Sequence, residues 1–339
     1  MDYYCTYFDQ HYLLRGLTLY KSMEMYCKPF QLWVLCMDRY SYSVLKQLEL
    51  PHAKAISLEQ FEKNDPELLD AKRNRSRIEY FFTCTPSLSI FVLNQSPDID
   101  RITYLDADLF FFSSPLPVFQ ETGDHSIAII DHRFPEYLLH KYKYGRYNVG
   151  WISFRNDQNG VRSLQWWRSA CNEWCYDRLE AGRYADQKYL DDWPMRFQHV
   201  VVLKHKGANL APWNLANYKI RLNESRIMVD EQPLIFFHFH GFRQIRRWFY
   251  DPNLAGFGVG LSRGVKNFIF VPYIHAFSET TRLYLPNTQK QELSDGMRFD
   301  LKDIPVARRL WKFLGRMLYM LKLIVRGKFI FVWKKKILL

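Results

Sequence analysis

The chain has 339 residues, 48% of them hydrophobic and 17% aromatic, enough apolar side chain for a large folded core, which argues against a disordered protein. Its formal net charge is +12, and ten basic but no acidic residues lie between Arg308 and Lys336, so we expect this end to bind an anionic surface. No run of about 18 uncharged apolar residues occurs, so no segment is expected to span a bilayer.

Cysteine usage indicates a reducing compartment. The six cysteines include no CxxC pair, and the amino terminus has no basic segment followed by the apolar core of a secretion signal, so we expect a cytoplasmic protein. Cys171 and Cys175 are four residues apart on a predicted helix, which leaves a disulfide or metal role open. Buried free thiols are the favoured interpretation.

The first hundred residues alternate between strand and helix patterns. Apolar spacing predicts strands at 2–9, 30–38, 53–58 and 101–105, helices at 13–26 and 41–50, and a helical region over 75–95 that is interrupted near Pro86. This alternation predicts an α/β fold with a mainly parallel sheet flanked by helices. Ligands of such sheets bind outside the carboxyl ends of the strands.

The later elements are less regular. Strands are predicted at 126–131, 147–156, 199–207 and 233–241, a helix over 161–180, and a helical turn within 182–193. Gly150 lies inside a predicted strand, where a glycine often marks close approach of a ligand or another backbone. The sequence at 206–214 fits either a loop that forms the wall of a sugar or acceptor pocket or a packed surface loop.

Two aspartates follow the apolar strand at 101–105. Asp106 and Asp108 share one side of an extended backbone, where they repel each other unless a cation or hydrogen-bond donors neutralise them. Pro115 and Pro117 are expected to prevent regular strand pairing soon afterwards, which places the pair in a loop.

Two histidines end a later apolar strand. His238 and His240 share one face, and a carboxylate pair with an imidazole suits Mn²⁺, or Mg²⁺, as cofactor. Each motif alone also fits a purely structural role, the aspartates as a pair in a loop and the histidine as a residue of the core.

Four short motifs together carry a resemblance to a known family. They are YLDAD at 104–108, NVG at 148–150, DQ at 186–187 and HFHG at 238–241. With them, residues 2 to 250 resemble the GT-A (Rossmann-like) nucleotide-sugar glycosyltransferases, most closely the family 8 retaining enzymes of bacterial surface polysaccharide assembly.

The resemblance implies a role for each matching residue. Asp106, Asp108 and His238 would bind the metal, and Asp186 and Gln187 would be the catalytic residues beside the donor sugar. The nucleotide-sugar-binding residues would be Thr6, Tyr7, Tyr12, Arg77, Asp106, Ala107, Asn148, Gly150, Gly241 and Arg243. An alternative for the DQ segment is an N-capped surface helix with acidic residues in its first turns.

Two positions depart from the family pattern. The lysine expected six residues after the metal histidine is Gln244, so the charge would have to come from Arg243, Arg246 or Arg247. The usual arginine in the helix before the aspartate strand is also missing, although basic residues crowd just upstream at Lys72, Arg73, Arg75 and Arg77. The donor sugar is therefore left open.

The resemblance implies a metal-dependent, retaining transfer of a sugar from a nucleotide-sugar, a UDP-sugar, to a lipid-linked saccharide acceptor of lipopolysaccharide or capsule type. A sugar nucleotidyltransferase is one alternative, but it requires a glycine-rich basic loop after the first strand, and TYFDQHYLLRG contains none. A non-catalytic membrane-associated protein that retained the fold is the other.

The chain is predicted to divide near residue 285. Residues 1–285 would form the catalytic domain, and 286–339 a linker with a basic amphipathic tail on the anionic cytoplasmic face of the membrane, making the protein a peripheral one. Nucleic acid is not expected as a partner, because nothing in the chain resembles a base-reading module.

Overall fold

The computed structural model describes residues 1–63, 65–246, 248–285, 306–333 and 336–338. Its strands are β1 Asp2–Phe8, β2 Phe30–Cys36, β3 Ala53–Ser57, β4 Arg101–Leu105, β5 Leu109–Phe111, β6 Ile127–Asp131, β7 Tyr147–Arg155, β8 Val200–Leu203, β9 Ile220–Asn223, β10 Arg226–Val229, β11 Gln232–Pro233, β12 Phe236–His238, β13 Arg243–Arg246, β14 Phe249–Asp251, β15 Ile330–Trp333 and β16 Lys336–Leu338.

The helices are α1 Leu13–Tyr26, α2 Arg39–Leu48, α3 Leu58–Glu62, α4 Pro66–Arg73, α5 Arg77–Gln95, α6 Leu116–Thr122, α7 Gln158–Glu173, α8 Trp193–Arg196, α9 Arg263–Val265, α10 Val271–Tyr284 and α11 Val306–Val325. Short 3-10 helices cover Glu136–Tyr144, Gln187–Asp192, Leu215–Asn217 and Ala255–Phe257, and a π-helix over Lys266–Phe270 precedes α10.

A seven-stranded sheet forms the centre, in the order β3-β2-β1-β4-β7-β6-β8. The strands β3, β2, β1 and β4 pair in parallel, β7 runs antiparallel to its neighbours β4 and β6, and β8 pairs in parallel with β6. Helices cover both faces, with α1 and α10 on one side and α5 and α7 on the other. The predicted α/β class with a mainly parallel sheet is confirmed.

A separate two-stranded ladder follows the aspartates. β5 pairs antiparallel with β12, so that Leu109 lies opposite His238 and Phe111 opposite Phe236. Asp106 and Asp108 lie in a loop after β4, as predicted, and Pro115 and Pro117 are not in a strand, but the pairing of residues 109–111 before the prolines was not predicted. β5 ends before Pro115, and both prolines instead start α6, whose first turn tolerates a missing backbone N–H.

Helix α5 runs without interruption through Pro86, contrary to prediction. A capping box between Ser76 and Glu79 fixes its start, and much of its length is buried in the core. Packing of a buried face outweighs the backbone hydrogen bond that one proline removes.

Helix α7 is shifted relative to the predicted range 161–180. Asp157 caps its start by accepting a hydrogen bond from the backbone N–H of Gly160. Near its end, Arg75 donates to the carbonyls of Asn172 and Glu173, satisfying acceptors that a helix terminus leaves unpaired. The six cysteines are all buried and unpaired, as expected.

The carboxyl-terminal segment contacts the α/β domain. β15 pairs antiparallel with β14, placing Ile330 opposite Tyr250, and the side chains of Ile330 and Leu323 are buried. Residues 286–305, within the predicted linker, lie outside the described residues. Across the parts of the chain that the structure describes, no helix is long and apolar enough to cross a membrane.

Helix α1 lies so close to β1 that a Cβ atom at Gly16 would stand 2.2 Å from Cε1 of the buried Phe8 ring. We therefore expect Gly16→Ala to lower the free energy of unfolding by about 1–3 kcal/mol, as overpacking does. Gly315→Ala is the matched control, because a Cβ atom there would meet no described atom within 4 Å outside its own helix backbone, and the substitution should gain about 0.5–1 kcal/mol. Urea denaturation measures both, and an equally stable Gly16→Ala protein would contradict the packing argument.

Candidate active site

Two carboxylates and an imidazole meet where β4 and β12 end. His238 Nε2 lies 3.0 Å from Asp108 Oδ1 and 3.5 Å from Asp106 Oδ2. Among the described residues, the group whose ligand atoms all lie within 4.8 Å of one another is Asp108, His238 and the exposed His240, and Asp106 of the predicted set falls outside it. This mixture of carboxylate and imidazole suits Mn²⁺, with His240 as a ligand candidate in addition to the predicted three.

The three groups compensate each other's charge. Burial raises the pKa of Asp106 to about 6, although 31% of its side chain is exposed. Burial would also raise the pKa of Asp108, but the neighbouring His238 outweighs it and holds that pKa below its usual range. Burial would likewise lower the pKa of His238, but the carboxylate of Asp108 reverses this and raises it. The raised pKa favours the protonated form of His238, whose positive charge is the kind of partner that the two carboxylates require.

Hydrogen bonds fix both aspartates. The hydroxyl of Tyr104 donates to Asp106 Oδ1 over 3.0 Å, and the backbone N–H of Asp106 donates to the carbonyl of Gly150 over 3.1 Å. The carbonyl of Asp108 accepts from the N–H of Phe239 over 2.9 Å, which ties the aspartate loop directly to the HFHG segment.

Gly150 allows β7 to pass directly beside the histidine. A Cβ atom there would lie 2.6 Å from Asn148 Oδ1 and 2.8 Å from His238 Nδ1. Asn148 is itself oriented, because its Oδ1 accepts from the Gly150 N–H over 3.0 Å and its Nδ2 lies 3.4 Å from His132 Nε2. The other ring nitrogen of His132 donates to the carbonyl of Arg146, which leaves Nε2 as the acceptor.

Residues expected to bind the nucleotide lie near the carboxyl ends of β1 and β2. Arg77 Nη2 lies 2.7 Å from Asp9 Oδ2 and 3.7 Å from Asp38 Oδ2. Tyr12, which is 40% exposed, precedes α1, with the guanidinium of Arg15 4.2 Å above its ring.

The predicted residues of β1 lie deeper in the fold. Thr6 is fully buried, and among the described residues its hydroxyl has no hydrogen-bond partner. The hydroxyl oxygen of Tyr7 lies 3.4 Å from Oγ1 of Thr85, and the ring of Tyr7 packs against that of Tyr104. Ala107 is buried between the two aspartates.

Sequence reasoning missed Arg15. This arginine is buried, its Nη2 donates to the carbonyl of Phe242 over 2.6 Å, and its charge helps to lower the pKa of Asp108. The available signal was a charged residue inside the apolar helix LLRGLTL, since a buried arginine needs a specific partner.

Three of the predicted basic or diphosphate-binding positions follow His238 in a turn and in β13. Gly241 has φ +67°, and Arg243 follows it in β13 without an ion pair among the described residues. Gln244, at the position of the expected lysine, donates through Nε2 to the hydroxyl of Tyr250. Arg247 lies outside the described residues.

Asp186 and Gln187 lie at the start of a 3-10 helix, and Asp186 is close enough to Asp106 for the charge of Asp106 to help raise its pKa. Asp186 is 5% exposed, its Oδ2 accepts from the Thr85 hydroxyl over 2.9 Å, and burial raises its pKa to about 7. Gln187 begins a 3-10 helix, and its Nε2 donates to the carbonyl of Tyr144 over 3.0 Å. This bond fixes the amide plane and leaves Oε1 without a described donor.

The loop at 206–214 lies against the histidines. The ring of Trp213 is 5.0 Å from that of His238 and 5.5 Å from that of His240, measured between centroids. Asn214 holds the loop through hydrogen bonds to the carbonyls of Asn209 and His132. Residues 207–215 are all buried, which argues against a packed surface loop, and the interpretation as the wall of a sugar or acceptor pocket stays a prediction.

No protein-family model matches the chain. It is 33% identical over 275 residues to the uncharacterized protein YfnD of Bacillus subtilis (strain 168), covering 80% of this chain and 87% of YfnD. It is also 33% identical over 249 residues to the uncharacterized protein YfnF of the same organism, covering 71% of this chain and 81% of YfnF.

Solved structures share the fold. The galactosyltransferase LgtC, in complex with donor and acceptor sugar analogues, matches with a TM-score of 0.53 and 15% identity, over 82% of this chain and 95% of LgtC. An active-site mutant of LgtC matches with a TM-score of 0.51 and 14% identity, over 83% and 95%. The chain therefore has the GT-A glycosyltransferase fold.

The buried carboxyl of Asp186 predicts a pH-dependent stability. Because burial raises its pKa from 3.8 to about 7, the folded state binds this proton more tightly than the unfolded state, and stability falls as the pH rises between these values. Asp186→Asn mimics the neutral form, so with a chelator present its melting temperature should fall less than that of the wild type between about pH 5 and pH 8.

The fully exposed Asp124 provides the control, and Asp124→Asn should follow the wild type. Asp106 and His238 contribute a dependence of the same sign in every variant, so the difference between proteins reports Asp186 together with its charge interaction with Asp106. Parallel melting curves of wild type and Asp186→Asn would contradict the assignment.

Proposed function

Since the chain belongs to the family of the Bacillus subtilis proteins YfnD and YfnF and has the GT-A fold, we propose that it is a metal-dependent glycosyltransferase of the family 8 type. It transfers a sugar from a nucleotide-sugar, a UDP-sugar, to a saccharide acceptor. The observation that carries this proposal is the convergence of Asp106, Asp108 and His238 at the end of the sheet, where ligands of such folds bind.

The metal would be held by Asp106, Asp108 and His238, and when bound it neutralises charge developing on the leaving diphosphate. Arg243, two residues after Gly241 and without a carboxylate partner among the described residues, would supply a second positive charge for the diphosphate. Their combined task is electrostatic, and it requires no strong nucleophile.

Gln187 faces the donor sugar in this proposal. Its amide nitrogen is engaged by Tyr144, so its oxygen is the end presented to the oxocarbenium-like ring as the bond to phosphate breaks. The leaving phosphate can then accept the proton of the attacking acceptor hydroxyl. Retention of anomeric configuration is part of the proposal and rests on the family resemblance.

We also propose that the acceptor is lipid-linked, of the lipopolysaccharide or capsule type, and that α11 holds the enzyme at the cytoplasmic face of an anionic membrane. The described outer face of this helix exposes apolar side chains, while the segment Arg308–Lys336 carries ten basic and no acidic residues. That combination suits the interface between headgroups and acyl chains.

The metal assignment predicts nucleotide binding that needs a divalent cation. In isothermal titration, UDP should bind the wild type tightly only with Mn²⁺, and Asp108→Asn should abolish the cation dependence because it removes a buried ligand charge. Asp100→Asn, at an exposed aspartate just before β4, is the matched control and should behave as wild type.

Equal UDP binding with and without Mn²⁺ in both proteins would contradict the metal site. Sugar release from a panel of UDP-sugars then identifies the donor. Pyrophosphate exchange with UTP and a sugar phosphate would instead indicate a nucleotidyltransferase, and absence of nucleotide binding would favour a non-catalytic protein.

The membrane proposal predicts that the outer face of α11 drives binding to anionic vesicles. Leu318, Leu321 and Val325 are 65%, 51% and 85% exposed, and replacing all three by glutamine should weaken binding to phosphatidylglycerol vesicles about tenfold or more, since each buried apolar side chain contributes on the order of 1 kcal/mol. Leu116→Gln with Met195→Gln, at exposed positions elsewhere, is the control.

Metal-dependent UDP binding should stay unchanged in both variants, because neither changes a candidate ligand. Added salt should weaken the binding of the wild type to the vesicles, since part of the attraction is electrostatic. Vesicle binding that survives the triple substitution would contradict the proposed orientation of the helix.

A further inference from the structure

Tyr319 makes a polar contact between α11 and the α/β domain. Its hydroxyl donates to Asp251 Oδ2 over 2.6 Å. Tyr319 and the buried Leu323 are one helical turn apart, so they share the side of α11 that faces the domain. The helix therefore has an inner side that contacts the fold and the exposed outer face described above.

Asp251 needs this contact because it is almost completely buried, with 1% of its surface exposed. Its Oδ1 accepts from the backbone N–H of Asn253, two residues away, over 2.8 Å. Among the described residues, Tyr319 is the only donor to Oδ2. Since a buried carboxylate that loses a donor is costly, removing the hydroxyl should disturb the local backbone.

The disturbed backbone would be that of the donor site. Asp251 ends β14 and pairs across the ladder with Arg243 of β13, two residues after Gly241. Asn253 reaches the same turn, because its Nδ2 donates to the carbonyl of His240 over 3.1 Å. A Cβ atom on Gly241 would lie 2.2 Å from that Nδ2, which shows how closely the turn and Asn253 pack.

We propose that Tyr319 is a positioning residue of the donor site, which through Asp251 fixes Arg243 and the turn at Gly241. This inference rests on the proposed function, in which Arg243 binds the diphosphate. Tyr319 would therefore affect the binding of a nucleoside diphosphate. The carboxyl-terminal helix, expected from the sequence to be only a membrane tether, becomes part of the frame of the donor site.

The test compares Tyr319→Phe with Tyr20→Phe. Tyr319→Phe removes a single hydroxyl from a side chain that is 36% exposed, so we expect the protein to fold. Tyr20→Phe is the control, because it removes the same kind of hydrogen bond: the Tyr20 hydroxyl donates to the carboxylate of Glu24 within α1. In the presence of Mn²⁺, UDP should bind Tyr319→Phe about tenfold more weakly than the wild type or the control, the size of effect typical of lost outer support of a site.

A second measurement does not depend on activity. Hydrogen exchange of the backbone amides in residues 239–246 and 248–253, in protein free of metal and nucleotide, should be faster in Tyr319→Phe and unchanged in Tyr20→Phe. The inference requires both results. Faster exchange with unchanged UDP affinity would reduce Tyr319 to a structural role, and unchanged exchange would remove the physical link, so either outcome overturns it.

Different results would refute the proposed function and the proposed role of Tyr319. A wild type that does not bind UDP refutes the proposed function, and with it any role of Tyr319 in binding the donor. A wild type that binds UDP with Mn²⁺, combined with a Tyr319→Phe variant of equal affinity, refutes the inference alone.

Discussion

The mutual neutralisation of two carboxylates and one imidazole is the interaction on which the architecture of this site depends. His238 Nε2 lies 3.0 Å from a carboxylate oxygen of Asp108 and 3.5 Å from one of Asp106. Without such pairing, burying these charged groups would cost several kcal/mol each. The surrounding groups reduce that cost: Tyr104 donates to one aspartate, and Arg15 adds positive charge beside the other. The same arrangement leaves ligand atoms that a divalent cation can use, so the features that stabilise the cluster also prepare it for metal.

Topology brings the cluster together across about 130 residues of sequence. The short ladder between β5 and β12 places His238 opposite Leu109, one residue after Asp108, so strand register sets the distance between aspartate and histidine. β7, running antiparallel beside β4, supplies Gly150, whose missing side chain leaves room for the histidine ring. A register shift of one residue would turn the histidine to the other face and dissolve the site.

Local periodicity was sufficient to predict the α/β class and the approximate bounds of strands such as β1, β2 and β4, because each buries an apolar run. Local periodicity failed where contacts between segments far apart in the sequence determine the structure. The pairing of β5 with β12 and the hydrogen bond from Arg15 to Phe242 both join segments far apart in sequence. The carboxyl-terminal segment shows the same limit: its composition indicates affinity for membranes, but no local pattern reveals that β15 extends the sheet of β14.

The two sides of the cluster are held by different kinds of contact. On one side, strand termini are tied by charged side chains, including Arg77 with Asp9 just after β1. On the other, the 3-10 helix Glu136–Tyr144 is tied through its carbonyls, because Gln187 Nε2 donates to Tyr144 and Lys188 Nζ donates to Tyr142. In this helix Tyr137 is 52% exposed, and Lys141 has no carboxylate partner among the described residues. Because 3-10 segments have weaker hydrogen bonds and surface segments tolerate substitution, we expect this helix to accept sequence changes that the strand termini beside the cluster do not.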